Sequence, residues 1–222
     1  MHMLLSSGVL TPVVKQALIA LSFLFATQSD TTQTDKTMNT LPEITTTTTW
    51  NIDPAHTQVE FVVTHMMFTK VRGAFTSFTG QIVAGEDGDL ANGQFSATIE
   101  TSSVDTANEQ RDNHLRSGDF FEAENHPEIT FNSTAIKRLA DDKLVVNGDL
   151  TIRGVTKTIA LDVTETGTGV DPWGNLRIGI QAVGSVNRKD FGLTWNQALE
   201  AGGVLVGDKV QLVIEAQAVK AN

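Results

Sequence analysis

Apolar and polar side chains alternate with a period of two from Val59 almost to the end of the chain. Val59, Phe61, Val63, His65 and Met67 share one parity while Gln58, Glu60 and Thr64 take the other, the pattern of a strand with one face on a core. Phe95, Ala97 and Ile99 alternate with Gln94, Ser96, Thr98 and Glu100, and Ile129, Phe131, Ser133 and Ala135 continue the pattern. Leu144, Val146, Gly148, Leu150 and Ile152 lead through Arg153 and Gly154 to Ile159, Leu161 and Val163, which reads as a hairpin. Leu176, Ile178, Ile180, Ala182 and Val186 form a further strand, and Val210, Leu212, Ile214 and Ala216 the last; with Ala74 to Val83 the total is about eight. Only Ala107 to Ser117 lacks alternation, and with Asp105 or Thr106 as N-cap it predicts one short helix. Such a chain is all-β, a sandwich or a barrel, and parity alone does not choose between them.

The alternation starts after Trp50, and what precedes it differs in kind. Residues 1–28 contain an apolar block from Ala17 to Ala26 behind Lys15, expected to act as a signal peptide or N-terminal anchor. Residues 29–49 are rich in Thr, Asn, Asp and Gln and read as a polar linker, leaving 50–222 as the domain. The 26 acidic residues against 16 Lys plus Arg give a net charge of -10, which repels nucleic acid and leaves lipid traffic to a local apolar mouth rather than a basic face. With no cysteine, disulfides, thiolate metal sites and a thiol nucleophile are excluded, and the fold must hold by packing.

Three blocks resemble those of the YceI-like family of bacterial lipocalin-like, polyisoprenoid-binding domains. The first is Trp50-Asn51-Ile52-Asp53-Pro54-Ala55-His56-Thr57 continuing to Val71-Arg72-Gly73-Ala74-Phe75. The second runs from Arg111-Asp112-Asn113-His114-Leu115-Arg116-Ser117-Gly118-Asp119-Phe120-Phe121 to Pro127-Glu128-Ile129-Thr130-Phe131. The third joins Gly148-Asp149-Leu150-Thr151-Ile152-Arg153-Gly154-Val155-Thr156-Lys157 to Asn187-Arg188-Lys189-Asp190-Phe191-Gly192-Leu193-Thr194-Trp195. One departure is Thr57, where Ser is commonest; the hydroxyl is kept. The resemblance implies an eight-stranded antiparallel lipocalin-like barrel around an elongated apolar tunnel, exported to the periplasm. It further implies non-catalytic binding or transport of a long-chain isoprenoid such as a quinone or prenyl phosphate, transient membrane contact for ligand exchange, and a homodimer. A fatty-acid-type binder and a metal-assisted hydrolase are the rival readings.

An eight-stranded barrel either fills itself with side chains or holds one small ligand. Small residues of inward parity, Ala97, Ser133, Gly148, Ala182 and Gly184, favour a ligand, since Gly inside a strand often marks a close approach by something else. The expected walls are Phe61, Val63, Phe75, Phe95, Ile99, Leu115, Phe120, Phe131, Leu150, Ile178, Phe191 and Trp195. His65, of inward parity, would either meet a ligand head group or bond within the wall, whereas His56 reads as a turn cap. Arg111 and His114, three apart on the helix, are the candidate polar mouth, against the alternative that such groups pin the helix to the barrel; Arg188 and Asp190 are expected to pair structurally. No HxH, HExxH or GxSxG spacing occurs, so no catalytic residue, metal or cofactor is expected, and the acidic stretch Gly85 to Gly93 is read as a surface turn.

Overall fold

The computed structural model describes residues 47–85, 89–200 and 202–221, all in the unit Glu43–Asn222. The export reading of residues 1–28 and nearly all of the linker lie outside them, as do Glu86 and Asp87 of the acidic turn. At the linker's end, β1 (Thr47–Ile52) already runs and Thr48 is buried, so the barrel begins ahead of Trp50.

Antiparallel pairing joins β1 to β2 (Gln58–His65), β3 (Thr69–Phe75), β4 (Phe78–Gly85), β5 (Gln94–Glu100), β6 (Val104–Asp105), β7 (Glu128–Ala140), β8 (Lys143–Ile152), β9 (Val155–Val170), β10 (Leu176–Asn187) and β11 (Val206–Lys220) in one sheet, which β1 closes by pairing with β11. These eleven segments make eight staves. β1 and β2 are one stave interrupted at Asp53 to Thr57, because both run along β11, at Trp50↔Lys220 and again at Val59↔Ile214. β3 and β4 are the second, interrupted at Thr76 and Ser77, and β5 and β6 the third, interrupted at Thr101–Ser103. Thus Ala74 to Val83, read as one strand, is one stave with a break in it.

Local chemistry accounts for the turns and for three shifts from the expected pattern. Arg153 (φ 50°) and Gly154 (φ 72°) form the two-residue turn between β8 and β9, both at the positive φ that a tight hairpin of this twist requires. Met66 and Met67 also sit at positive φ (50° and 71°), so Met67 belongs to the β2–β3 turn rather than to the strand. A bulge between Ser133 and Ala135 turns Ala135 outward and lets Ile136 pack on the core. The helix α1 (Glu109–Arg116) starts later than predicted: Asn108 Oδ1 accepts the Arg111 amide at 3.0 Å as the cap, while Asp105 ends β6 and its carboxylate takes the Ala107 amide.

One end of the barrel is solid. Trp50, Ile82, Leu90, Leu144, Val146 and Ala218 are each no more than 2% exposed and form one cluster with Ile178. Leu90 lies in a short 3-10 turn capped by Asp89, which Arg138 Nη2 holds at 2.7 Å. On the outer face beside this floor, Arg177 of β10 donates to Asp53 (2.6 Å), Asp171 (2.7 Å) and Gln217 (2.6 Å). Bonds from Arg177 and then His56 hold the Asp53 carboxyl below the usual carboxylate range. Burial raises Asp171, but bonds from Arg177, Asn175 and the Trp173 amide outweigh it and lower it further. Both folded-state values lie below the unfolded ones, so this contribution is complete above the ordinary carboxylate range and is lost as pH falls through and below it. The stability gap between the native protein and Arg177→Gln, measured by urea midpoints, should therefore shrink steadily from about pH 6 to pH 3; a constant gap would mean the arginine acts only by packing.

Candidate functional site

Above the floor the barrel is hollow. A cavity of about 250 Å³ lies among inward-facing residues of every long stave, from Ile52, Val146, Val163 and Ala216 up to Phe121, Ile152, Phe191 and Leu193. Along β8 its border runs from Val146 to Ile152, about 20 Å of strand. Water could find few partners against walls so largely apolar, which makes the cavity a place for hydrocarbon rather than for a water cluster.

Glycines keep it hollow in a way that differs from the expected one. A Cβ on Gly148 would lie 2.4 Å from the Phe131 ring, one on Gly184 2.6 Å from Leu161, and one on Gly73 2.3 Å from the Phe61 ring. Gly148 and Gly184 therefore leave no room for ligand themselves. Each lets a neighbouring ring or side chain lie flat on the wall instead of standing out into the lumen, and Phe61 and Phe131 line the cavity in that posture. Ala97 and Ala182 do border the space, whereas the Ser133 hydroxyl is used to accept the Phe95 amide at 2.9 Å.

The end opposite the floor is covered by the segment carrying α1. From it Leu115, Phe120 and Phe121 reach the cavity, and Phe75 stacks between Phe61 and Phe121 with centroids 5.8 and 5.7 Å away. The helix arginines pin this cover. Arg111 donates to the Thr106 hydroxyl and carbonyl, each at 2.7 Å, and Arg116 to the Ser102 and Val104 carbonyls at 2.7 Å. Buried Asp112 takes the Thr106 amide and hydroxyl, and Glu122 ties the cover to the β8–β9 turn through Arg153 at 2.9 Å. Arg188, 5% exposed, donates to the Leu193, Trp195, Val206 and Gly207 carbonyls and to Asp208 rather than Asp190. Burial lowers its pKa and Asp208 opposes that effect.

Of the predicted wall, Phe61, Val63, Phe75, Phe95, Ile99, Leu115, Phe120, Phe131, Leu150 and Phe191 border the cavity. Ile178 does not, because it lies at the level of the floor. Trp195 packs outside the lumen against His114 (4.7 Å) and Phe120 (5.4 Å), beside a separate surface pocket. The polar candidates do not line the lumen either: Arg111 is spent on Thr106, His114 Nε2 lies 2.8 Å from Asp119, and His65, the last residue of β2, does not border the cavity. Residues absent from the expected wall, among them Phe121, Arg188, Val210 and Leu212, also line it. Val210 and Leu212 were legible as inward residues of the last strand, but nothing local marks Arg188.

A model of the YceI-like domain matches residues 50–218. A UPF0312 protein of Staphylococcus aureus (strain N315) is 39% identical over 171 residues, covering 77% of this chain and 96% of the relative. Among solved structures, BcnA of Burkholderia cenocepacia superposes with a TM-score of 0.65 at 26% identity over 75% of this chain and 98% of that one. A polyisoprenoid binding domain from Saccharophagus degradans, implicated in plant cell wall breakdown, has the same fold at a TM-score of 0.56 and 18% identity over 78% and 98%.

Proposed function

The chain belongs to the YceI-like family, and on that premise we propose that it is a non-catalytic carrier that shelters one long apolar chain, such as an isoprenoid, inside its barrel. The observation that carries this reading is the hollow apolar lumen above a solid floor, covered at its other end by Leu115, Phe120 and Phe121. Burying each CH₂ is worth roughly 0.8 kcal/mol relative to water, so a long chain would not leave into bulk solvent. Exchange with a bilayer trades one hydrocarbon surrounding for another and is close to balanced. The apolar N-terminal block supports a periplasmic location for this traffic.

Exchange by direct contact needs a surface that tolerates lipid. Met66, Met67 and Phe68, 38%, 63% and 77% exposed, form the tip joining the first two staves, with the two methionines at positive φ at a cost of roughly 1–2 kcal/mol each. Native mass spectrometry of gently purified protein should show one prenyl lipid per barrel, and uptake from vesicles should speed up as vesicle concentration rises. Protein that is empty and also ignores added prenyl lipid would overturn the carrier reading. Straight acyl chains that displace prenyl lipid equally well would favour the fatty-acid alternative.

A further inference from the structure

The lumen has no place for a polar head group. Its walls are almost wholly apolar, and Arg188, which borders it, has its donors spent on four carbonyls and Asp208. A hydroxyl drawn inside would give up water without gaining a partner, at a cost of about 1–3 kcal/mol. An amphiphile in this barrel must therefore keep its head outside the lumen, and because the floor is solid the head lies at the covered end.

The outer side of that end holds the surface pocket beside Trp195. At about 530 Å³ it has the size of a small-molecule site, and Asp119, Arg153 and Thr194 give it the polar groups that the lumen lacks. Three segments carry residues of both spaces side by side. Asp119 lines the pocket and Phe120 the lumen, Arg153 the pocket and Ile152 the lumen, and Gly192 and Thr194 the pocket on either side of Leu193, which lines the lumen. Phe191 borders both. Phe120, whose ring lies 5.4 Å from that of Trp195, continues the partition. The two spaces are back to back, and the partition between them is made of side chains.

We infer that this outer pocket seats the ligand's head group while the tail runs past Phe191 toward the floor, and that the head it takes is uncharged and hydroxyl-bearing. This rests on the carrier reading. Phe191 is 1% exposed, so its ring turns aside as the tail enters. Asp119 offers an acceptor: its Oδ2 lies 2.8 Å from His114 Nε2, and Oδ1 has no partner among the described residues. Arg153 spends Nε (3.0 Å) and Nη2 (2.9 Å) on Glu122 and keeps Nη1 as a donor. A hydroxyl suits such a pair because it both donates and accepts. An ionised phosphate only accepts. It would meet the Asp119 carboxylate in a pocket whose one cationic lining residue is already matched by Glu122.

Two photoreactive forms of geranylgeraniol test the placement, one with a diazirine beside the hydroxyl and one with it at the tip of the tail. After irradiation and peptide mapping, head-end labels should fall mainly on Gly118, Asp119, Thr194 and Trp195, and tail-tip labels mainly on lumen residues beside the floor such as Val146 and Ile180. Geranylgeranyl diphosphate, which shares the tail, tests the head. In native mass spectrometry competition at low salt the native protein should prefer the alcohol by about tenfold, and Asp119→Asn should cut that preference several-fold. Head-end labels beside the floor, or the same labels from both probes, would overturn the outer-pocket site while leaving the carrier intact. Diphosphate bound as tightly as the alcohol, or a preference untouched by Asp119→Asn, would overturn the uncharged head. If the native protein binds neither geranylgeraniol nor the diphosphate, the carrier reading falls and this one with it.

Discussion

Ala182→Phe should abolish lipid binding while leaving the barrel folded. Ala182 borders the cavity from β10, between Val163 of β9 and Ile214 of β11 in the ladder. A benzyl group there projects into empty space rather than into a packed core, so the usual cost of overfilling is small and partial filling of the void can even stabilise. The ligand bears the loss. A ring that excludes four CH₂ groups from the lumen removes roughly 3 kcal/mol of burial, a factor of ~10² in affinity. Measured by native mass spectrometry and thermal melting together, the expected result is a protein with a midpoint at or above the native one and no retained prenyl lipid. Ala135→Phe, on the exposed face beyond the bulge, serves as the control and should bind normally. Undiminished binding by Ala182→Phe would place the ligand somewhere other than the barrel interior.

That prediction depends on telling lumen from floor, and this distinction was only half legible in the chain. Alternation identifies the face a residue looks toward, because the strand period is two whatever the surroundings. It therefore found the inward rows of β8 and β11 residue by residue. It says nothing about height along the axis. Ile178 and Ile180 have the same parity and neighbouring positions, yet Ile180 borders the cavity and Ile178 is sealed among Trp50, Leu90 and Leu144. Height is set by which residues arrive from other staves, and no local pattern contains that.

Gly148 shows the same limit from the other side. A glycine in a strand signals that something approaches closely, and reading that something as ligand was reasonable, but the visitor is the Phe131 ring from the adjacent strand β7. The breaks in the first three staves were equally silent. Pro54 hints at the first, but Thr76 and Ser77 could continue a strand, and only their bonds to Ser103 and Glu100 show why they do not. The polar candidates on the helix were legible as residues but not in their employment, since Arg111 and Arg116 meet carbonyls of Ser102, Val104 and Thr106 in the segment before the helix.

Arg188 is where the loss of a side chain should cost the fold most. Its guanidinium gathers carbonyls from two stretches of chain, Leu193 and Trp195 on one and Val206 and Gly207 on the other, together with the Asp208 carboxylate. Arg188→Met keeps the apolar stem but strands these buried carbonyls, while Asp208, more than a third exposed, keeps Lys189 at 2.8 Å; acceptors left unpaired at about 1–3 kcal/mol apiece put the loss at about 3–5 kcal/mol after partial hydration. For a domain of this size that corresponds to a fall in melting temperature of roughly 10 °C. Arg188→Lys should recover less than half, because an ammonium on a shorter reach cannot serve the fork of acceptors that a planar guanidinium fits. The same residues close the cavity at its covered end, where Arg188, Leu193 and Val206 all border it, so a loosened variant should also release bound geranylgeraniol faster than the native protein. Denaturation midpoints within 1 kcal/mol of native for Arg188→Met would show that the carbonyls find water instead, and that this end of the barrel is held by Phe191 and Leu193 packing alone.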